Sequence, residues 1–422
     1  MSAKHPLAGD APLGEARLGE ARSGYRYLLA SASISNIGDG VRFAALPLMA
    51  QSLTSSPLGV AALVFSSGLP WLLFSLVSGV VVDRADRRKL MILVNLVRCS
   101  VMVGLALLAA MGLANLVMLC LAAFVLGIGE TLFDTAAPAI VRATVAVDDL
   151  ERANGYLATG ETVGNQLAGP ALGGVLFAVA VALPFALDAA TFLIAAVLLL
   201  GLRGSFRPAG SRGPSTSVRT DIREGLSWLR GHRLLRTLAV ITLAVGIADA
   251  AWFAVLVLFV VRLLDLPDAA YGIMVGIGAL GGIIAGLLVG RITTRTGQAP
   301  CLLVALGLAA VAQLAIGLSA DAVVVALMLS LSAFALTAWN VVVTSIAQAS
   351  VPDHLIGRVM SVFRLASVGG PALGAIIGGV VAEFFGLRAP FLLGVPILVA
   401  AACLGSRVIR RDEIALAREA AA

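Results

Sequence analysis

Apolar runs of twenty or more residues alternate along this chain with short segments rich in Arg, Gly, Pro and Asp. As a helix, a run of that length covers the roughly 30 Å of hydrocarbon in a bilayer. Such runs fall at 26–51, 58–82, 90–112, 115–143, 155–181 and 184–204. After a polar break, six more follow at 236–262, 270–291, 299–318, 321–350, 358–385 and 388–407. The pattern predicts an all-α membrane protein with twelve transmembrane helices, numbered here as spans 1 to 12.

Composition points to the same solvent. Of 422 residues, 59% are hydrophobic and 13% charged, with a mean hydropathy of +1.00. Soluble domains carry about 25% charged residues. A bilayer, not water, must therefore face most of this surface. Residues 1–25 are polar and lack the apolar core of a signal peptide, so the first span is expected to direct insertion. Cys99, Cys120, Cys301 and Cys403 all lie inside apolar runs without metal-ligand spacing, and read as small core residues. No metal or cofactor is expected.

A net charge of +6 would fit a nucleic-acid partner, but the placement of the charges argues against one. Of the 30 Lys and Arg, 25 lie in segments on the N-terminal side of the membrane, and only Arg262 and Arg388 in the opposite loops. Arg42, Arg98 and Arg364 lie within spans. The positive-inside rule then places both termini and the central segment in the cytoplasm. Lysine occurs only as Lys4 and Lys89, which reads as GC-rich coding and a bacterial plasma (inner) membrane.

Between the two sets of spans, 204–214 is rich in Gly, Pro, Ser and Arg and reads as flexible. From Asp221 to Arg236, Ile222, Leu226, Leu229 and Leu234 recur near helical spacing among basic residues. That is the pattern of an amphipathic helix on the inner leaflet; a plain solvated linker is the alternative.

The two sets resemble each other. Gly79-Val-Val-Val-Asp83-Arg84 with Arg88 matches Gly286-Leu-Leu-Val-Gly290-Arg291 with Arg295, an offset of 207. Gly169-Pro170-Ala-Leu-Gly173 matches Gly370-Pro371-Ala-Leu-Gly374, an offset of 201. Leu183-Pro184-Phe185 matches Ala389-Pro390-Phe391, an offset of 206. Near-constant offsets imply two pseudo-symmetric six-helix bundles with a site between them. The expected organisation is an N-terminal tail (1–25), a bundle (26–204), a central loop (205–235), a second bundle (236–407) and a C-terminal tail (408–422).

Between spans 2 and 3, Gly79-Val-Val-Val-Asp83-Arg84-Ala-Asp86-Arg87-Arg88-Lys89 resembles the signature loop of the major facilitator superfamily. The likeness covers the whole chain: twelve spans, a six-plus-six repeat and a long basic central loop. Asp86 departs from the usual glycine, a variant similar to the macrolide-efflux and enterobactin-type siderophore exporter branch. On span 5, Gly160-Glu-Thr-Val-Gly164-Asn-Gln-Leu-Ala-Gly169-Pro170-Ala-Leu-Gly173-Gly174 is similar to the antiporter motif of drug exporters. Small residues at four-residue spacing let helices approach, and Pro170 removes a hydrogen bond and permits a bend. Plain small-residue packing is the competing reading. The drug-efflux pattern also has an arginine on span 4, four residues before Gly-x-Gly. Gly127-Ile-Gly129 is present, but the arginine position is Ala123.

The resemblance implies that Asp83 meets the start of span 11 near Gly357, so that Asp83, Arg84 and Arg87 latch the halves in one state. A carboxylate is favoured at a helix N-terminus. Gly79 and Arg88 belong to the same gating loop, and topology anchoring is part of the role of its basic residues.

Ionisable groups within hydrocarbon are costly and mark function. Asp39 and Arg42 lie on span 1, Glu130 and Asp134 on span 4, Glu161 on span 5, Asp188 on span 6 and Asp249 on span 7. In the facilitator fold, spans 1, 4, 7 and 10 line the central cavity, which five of these seven residues would share. Asp39 and Arg42, three apart, can pair, either as a structural pin or as working parts. Glu130 and Asp134, four apart, cannot both carry charge cheaply in a low dielectric, which suits proton exchange; pairing with Arg42 or Arg98 is the alternative. Asp249 with Trp252 and Phe253 suits a cationic or amphipathic guest, and Trp339 and Asn340 occupy the corresponding region of span 10. Packing competes as an explanation for both tryptophans. Asp188, Arg98, Arg364 and Glu161 rank behind these.

The expected function is proton-coupled export, or export coupled to another cation, of a hydrophobic or amphipathic small molecule (drug, antibiotic or siderophore) by a monomer working through alternating access. The alternatives are an importer or uniporter of a metabolite or lipid, and a non-transporting receptor or scaffold. The chain does not read as an enzyme. It has no Gly-x-x-x-x-Gly-Lys-Ser/Thr for ATP, and His5, His232 and His354 lie in cytoplasmic segments without catalytic companions.

Overall fold

A computed structural model describes residues 11–145, 149–202, 206, 226–352 and 355–409. Among these residues the chain forms helices and connecting turns, with no strand. Twelve helical paths follow in order: α1 (Ala11–Leu53), α2 (Pro57–Arg84), α3 (Arg87–Ala110), α4 (Leu116–Thr144), α5, α6 (Leu183–Leu200), α7, α8 (Asp268–Thr296), α9 (Gln298–Leu318), α10 (Ala322–Ser350), α11 (Ile356–Phe385) and α12 (Ala389–Val408). Two of them change winding along their length. α5 runs Leu150–Glu161, then a π-helical stretch Thr162–Ala168, then Gly169–Val179. α7 runs Arg233–Phe253, Leu256–Leu258 and a π-helical Phe259–Leu263.

Ten of the twelve are long and apolar enough to cross a membrane. The other two are α1, which carries Asn36, Asp39 and Arg42, and the interrupted α5. Both owe this to polar or irregular positions inside the bundle, where protein rather than lipid meets them.

Local chemistry sets the boundaries. Ser56 caps α2 by accepting from Gly59 N at 3.2 Å, with Pro57 at the first helical position. Asn115 caps α4 through Met118 N at 3.0 Å, and Asp321 caps α10 through Val323 N and Val324 N at 2.8 and 3.0 Å. Asp86, the variant position of the signature loop, is the cap of α3 and accepts from Lys89 N at 3.4 Å. The turns after α8 and α11 pass through Gly297 (φ 90°) and Gly386 (φ 86°), a backbone region that side chains disfavour.

Packing repeats with a shift of six helices. In the first half α1 packs on α5 and α6, α2 on α4, and α3 on α4 and α6. In the second, α7 packs on α11 and α12, α8 on α10, and α9 on α10 and α12. Only small residues allow the closest of these contacts. A Cβ on Gly169 would lie 2.6 Å from Gly40 Cα, and one on Gly370 would lie 3.3 Å from Gly246 Cα. Between the halves, α2 meets α11 and α5 meets α8.

The central segment lies mostly outside the described residues, including Ile222. Residues 226–231 are helical, and Leu229 is buried with Leu234 and Trp228 in the core of the second half. This part of the predicted amphipathic helix therefore docks on protein. The cysteines divide: Cys301 is buried, Cys99 and Cys120 are half-buried and Cys403 is exposed, so the expectation that all are core residues is corrected. In a helix bathed in lipid, an apolar position need not be an interior one.

Candidate functional site

α1 brings Asp39 and Arg42 to one face, one turn apart, and the pair closes at 2.6 Å. Asp39 Oδ1 also accepts from the Arg98 guanidinium of α3 at 2.6 Å. Arg42 reaches Glu130 on α4 at 3.4 Å and Asp188 on α6 at 3.5 Å. Four helices thus converge on one ion cluster inside the first half. Asp39, Arg42, Arg98 and Asp188 are buried there, and the Glu130 side chain is 31% exposed.

Two glycines make room for it. Gly38 leaves the notch that Asp188 and Thr191 enter, where any Cβ would collide with both. Gly129 leaves the notch that Arg98 crosses, its would-be Cβ only 2.9 Å from Arg98 Cδ. The Arg98 guanidinium then stacks 4.1 Å from the Phe192 ring centre. Span 4 lacks an arginine at Ala123, and here α3 supplies one against α4.

The secondary rank given to Arg98 and Asp188 is corrected: both are central members of the cluster. Sequence spacing could not reveal this, because they lie 59 and 149 positions from Asp39. The available signal was cost. A charge in an apolar span needs a partner, and these were charges without one nearby in sequence.

Beyond the cluster, acids accumulate. Asp134 and Glu161 are exposed, and neither forms an ion pair among the described residues. Both lie within electrostatic reach of Glu130 and Asp39. Five carboxyl groups (Asp39, Glu130, Asp134, Glu161, Asp188) therefore surround two guanidinium groups (Arg42, Arg98). Such an excess of acid favours the approach of protons or other positive charge.

The aromatic expectations fare differently. Trp339 is buried and donates Nε1 to Thr242 Oγ1 at 3.2 Å, tying α10 to α7. Trp252 is buried against Phe391 of α12, with ring centres 5.4 Å apart. Trp252 belongs to a core cluster that draws on both halves, and Trp339 to one within the second half, where it lines the same small cavity as Asp249. Asn340, one position on, is exposed. Phe43 of α1 and Phe253 of α7 meet across the halves with tilted rings, 5.7 Å between centres. Asp249 faces a small cavity within the second half, away from the Asp39 cluster.

At the end carrying the basic segments, no contact of Asp83 with the start of α11 is found among the described residues. The Asp83 side chain is 76% exposed and, among the described residues, pairs with Arg87 alone, at 3.8 Å. Arg88 points elsewhere and donates to Leu199 O and Leu200 O at 3.0 and 2.7 Å, capping the end of α6. A Cβ on Gly79, Gly286 or Gly290 would meet nothing within 4 Å.

The opposite end is closed. Glu383 of α11 accepts from Ser56 Oγ at 2.7 Å and Leu58 N at 3.3 Å at the start of α2. Arg262 donates to Gln51 O, Thr54 O and Ser55 O, at 2.7, 2.8 and 3.0 Å, beyond the end of α1. Each charge meets the helix terminus whose dipole favours it. Gln51 Nε2 adds a bond to Asp268 at 3.3 Å.

The glycine motif of α5 serves two contacts. Gly164, Gly169 and Gly173 face α1, while Gly174 faces α8, where its Cβ would lie 3.1 Å from Gly272 Cα. Pro170 lacks an N–H and crowds the carbonyl four residues back, and the π-helical stretch directly precedes it.

Residues 20–420 match the family described as transmembrane secretion effector. An MFS-type transporter of Bacillus subtilis, YfiS, is 27% identical over 398 residues, covering 88% of this chain and 89% of that one. The multidrug efflux pump Tap of Mycobacterium tuberculosis is 28% identical over 404 residues, covering 91% and 92%. Among solved structures, a variant of the nucleoside transporter NupG superposes with a TM-score of 0.78 at 11% identity, covering 91% and 99%. A bacterial homologue of the human lysosomal transporter Spinster, inward-facing and occupied, gives 0.71 at 18%, covering 94% and 98%. At those identities the likeness is one of fold.

Proposed function

Because the chain belongs to the transmembrane secretion effector family of the major facilitator superfamily, we propose that it exports a hydrophobic or amphipathic small molecule in exchange for protons. It is a multi-pass membrane transporter of small molecules. The finer reading, efflux, draws on the full-length relationship to Tap pumps and on one observation in particular. Asp39 sits between two arginines, and an excess of acids leads from that buried pair to exposed Asp134 and Glu161. Protons or a cationic compound can balance that excess, and the two compete for it. Such competition is what an exchanger requires.

In this reading the moving units are 26–204 and 236–407 and the basic end is cytoplasmic; the contacts of Glu383 and the exposure of Asp83 support a state open to the cytoplasm. Compound enters from that side. Rocking then breaks the contacts of Glu383 and Arg262 and brings Asp83, Arg84 and Arg87 to the start of α11. Protons arriving from outside occupy the acids as the compound leaves. Asp39, Arg42, Glu130 and Asp134 carry the coupling, and Asn340 is kept as a contact of the substrate chamber. Trp252 and Trp339 hold the second bundle together. The working unit is a monomer in the plasma membrane of a bacterium, with both termini in the cytoplasm.

Everted membrane vesicles test the direction and the coupling together. An acid-interior gradient should drive uptake of a lipophilic dye or drug, and a protonophore should abolish it. Uptake that ignores the gradient in vesicles containing the protein would overturn the exchange mechanism.

A further inference from the structure

The second half contains a carboxylate for which the export cycle above has no use. Asp249 lies mid-span on α7 and faces a cavity of about 10 Å³ between α7, α9, α10 and α12. That volume holds one water-sized particle and excludes any organic substrate.

Among the described residues, no fixed cation answers Asp249 there. Helices α9 and α10 contain no Asp, Glu, Lys or Arg along their whole lengths. The one charged residue of α12 is Arg407, at its basic end. On α7 itself, Arg236 and Arg262 each lie 13 residues away, about 20 Å along the axis, and Arg262 is held by Gln51 O, Thr54 O and Ser55 O. From α11, Arg364 lies over the Trp71 ring of α2, Glu383 meets Ser56, and Arg358 is at the first turn. The Asp39 cluster, by contrast, holds two guanidinium groups.

What faces Asp249 is neutral and polar. Gln313 of α9, 1% exposed, lines the same cavity, and its Oε1 has no hydrogen-bond partner. Its amide rests over Gly394, where any Cβ would collide with that oxygen, so the glycine leaves the amide room. Ser332 of α10 is buried on the same lining. The Trp252 indole N–H is directed toward Asp249 without reaching hydrogen-bond geometry. An acid, an unpartnered amide oxygen and a hydroxyl around a one-particle space form a set of hard oxygen donors. In apolar surroundings such donors are costly unless something positive sits among them.

We propose that the C-terminal bundle carries a cation site of its own, where Asp249, Gln313 and Ser332 hold one small monovalent cation, a proton on the Asp249 carboxyl group or Na+, apart from the chamber between the halves. The site does not depend on what the protein exports or in which direction. Being framed by α7 and α10 on one side and α9 and α12 on the other, it senses the packing of one half rather than closure between halves.

The test uses the purified full-length chain in detergent, without any transported compound. Binding of ²²Na+ is measured against choline, and the infrared carbonyl band of a protonated carboxyl group is followed with pH in sodium-free buffer. If the ion is Na+, the wild type binds it, Asp249→Asn reduces binding to background, and Gln313→Leu weakens it. If it is the proton, no ²²Na+ binds, and a titrating carboxyl band of the wild type is missing from Asp249→Asn and shifted in Gln313→Leu. Ser332→Ala, which keeps the acid, gives an intermediate loss and serves if the Asn variant does not fold. A wild type that binds no ²²Na+ and whose carboxyl bands match those of the folded variants overturns the site. Neither readout involves transport, so failure here is distinct from failure of export.

Discussion

Glu383 accepts the Ser56 hydroxyl at 2.7 Å, joining the end of α11 to the start of α2 across the two halves. Ser56 is at once the N-cap of its own helix and the partner of a carboxylate from the other bundle. A charge at a helix terminus contributes about 0.3–1 kcal/mol when exposed. Glu383→Gln should therefore weaken closure of this end by up to about fivefold. Spin labels on Leu113 and Ala320, in turns at this end, should show a larger long-distance population in the variant. An unchanged distance distribution would remove Glu383 from the gate. Arg262→Gln, which frees three carbonyls at the end of α1, should act in the same direction.

Asp39→Asn and Glu130→Gln should both abolish gradient-driven efflux, yet differ in stability. Asp39 serves two buried guanidinium groups, and stranding one such charge costs about 3–5 kcal/mol. Glu130 is partly exposed and makes one contact of 3.4 Å, so its amide should change stability by less than about 1 kcal/mol. Vesicle transport together with thermal unfolding of the purified variants measures both. Wild-type efflux in either variant would take that residue out of the coupling path.

Two neighbouring glycines of α5 should give separable defects. Gly169 touches Gly40 of its own half, and Gly174 touches Gly272 of the other. Overpacking costs about 1–3 kcal/mol. Gly169→Leu should lower thermal stability and yield. Gly174→Leu should leave the fold intact and bias the protein away from the state closed at the Glu383 end, read by the same pair of labels.

Pro170→Ala restores an N–H where the π-helical turn of α5 now ends. Relaxation to regular α-helix would rotate Glu161 by about 100° relative to Gly173, the turn contributed by one residue. The variant should be at least as stable as the parent, with transport reduced. Full transport would show that the Glu161 orientation is irrelevant.

Much of the fold was legible from sequence because hydrocarbon imposes a simple rule. Residues in a span must be apolar over a fixed length, and the two halves of the chain kept matching Gly-Pro and Arg landmarks. The Gly-Pro landmarks lie on α5 and α11; that these pack on α1 and α7 emerged only from the tertiary structure. The charged positions announced themselves by their cost, so Asp39, Arg42 and Glu130 stood out at once. Their partners did not. Arg98 and Asp188 come from helices that reach α1 only after the bundle has closed, and no local spacing encodes that approach.

The sequence alone therefore determined the solvent, the repetition of the helical elements, and which charges had to find company. Tertiary structure decided which charges meet, that Trp252 and Trp339 are buried, and that the halves touch at the Glu383 end while Asp83 stays exposed. The reason is physical. Insertion into a bilayer is governed by each segment's own composition, whereas ion pairing and closure depend on distances of a few ångströms between segments, and those exist only once the helices have packed.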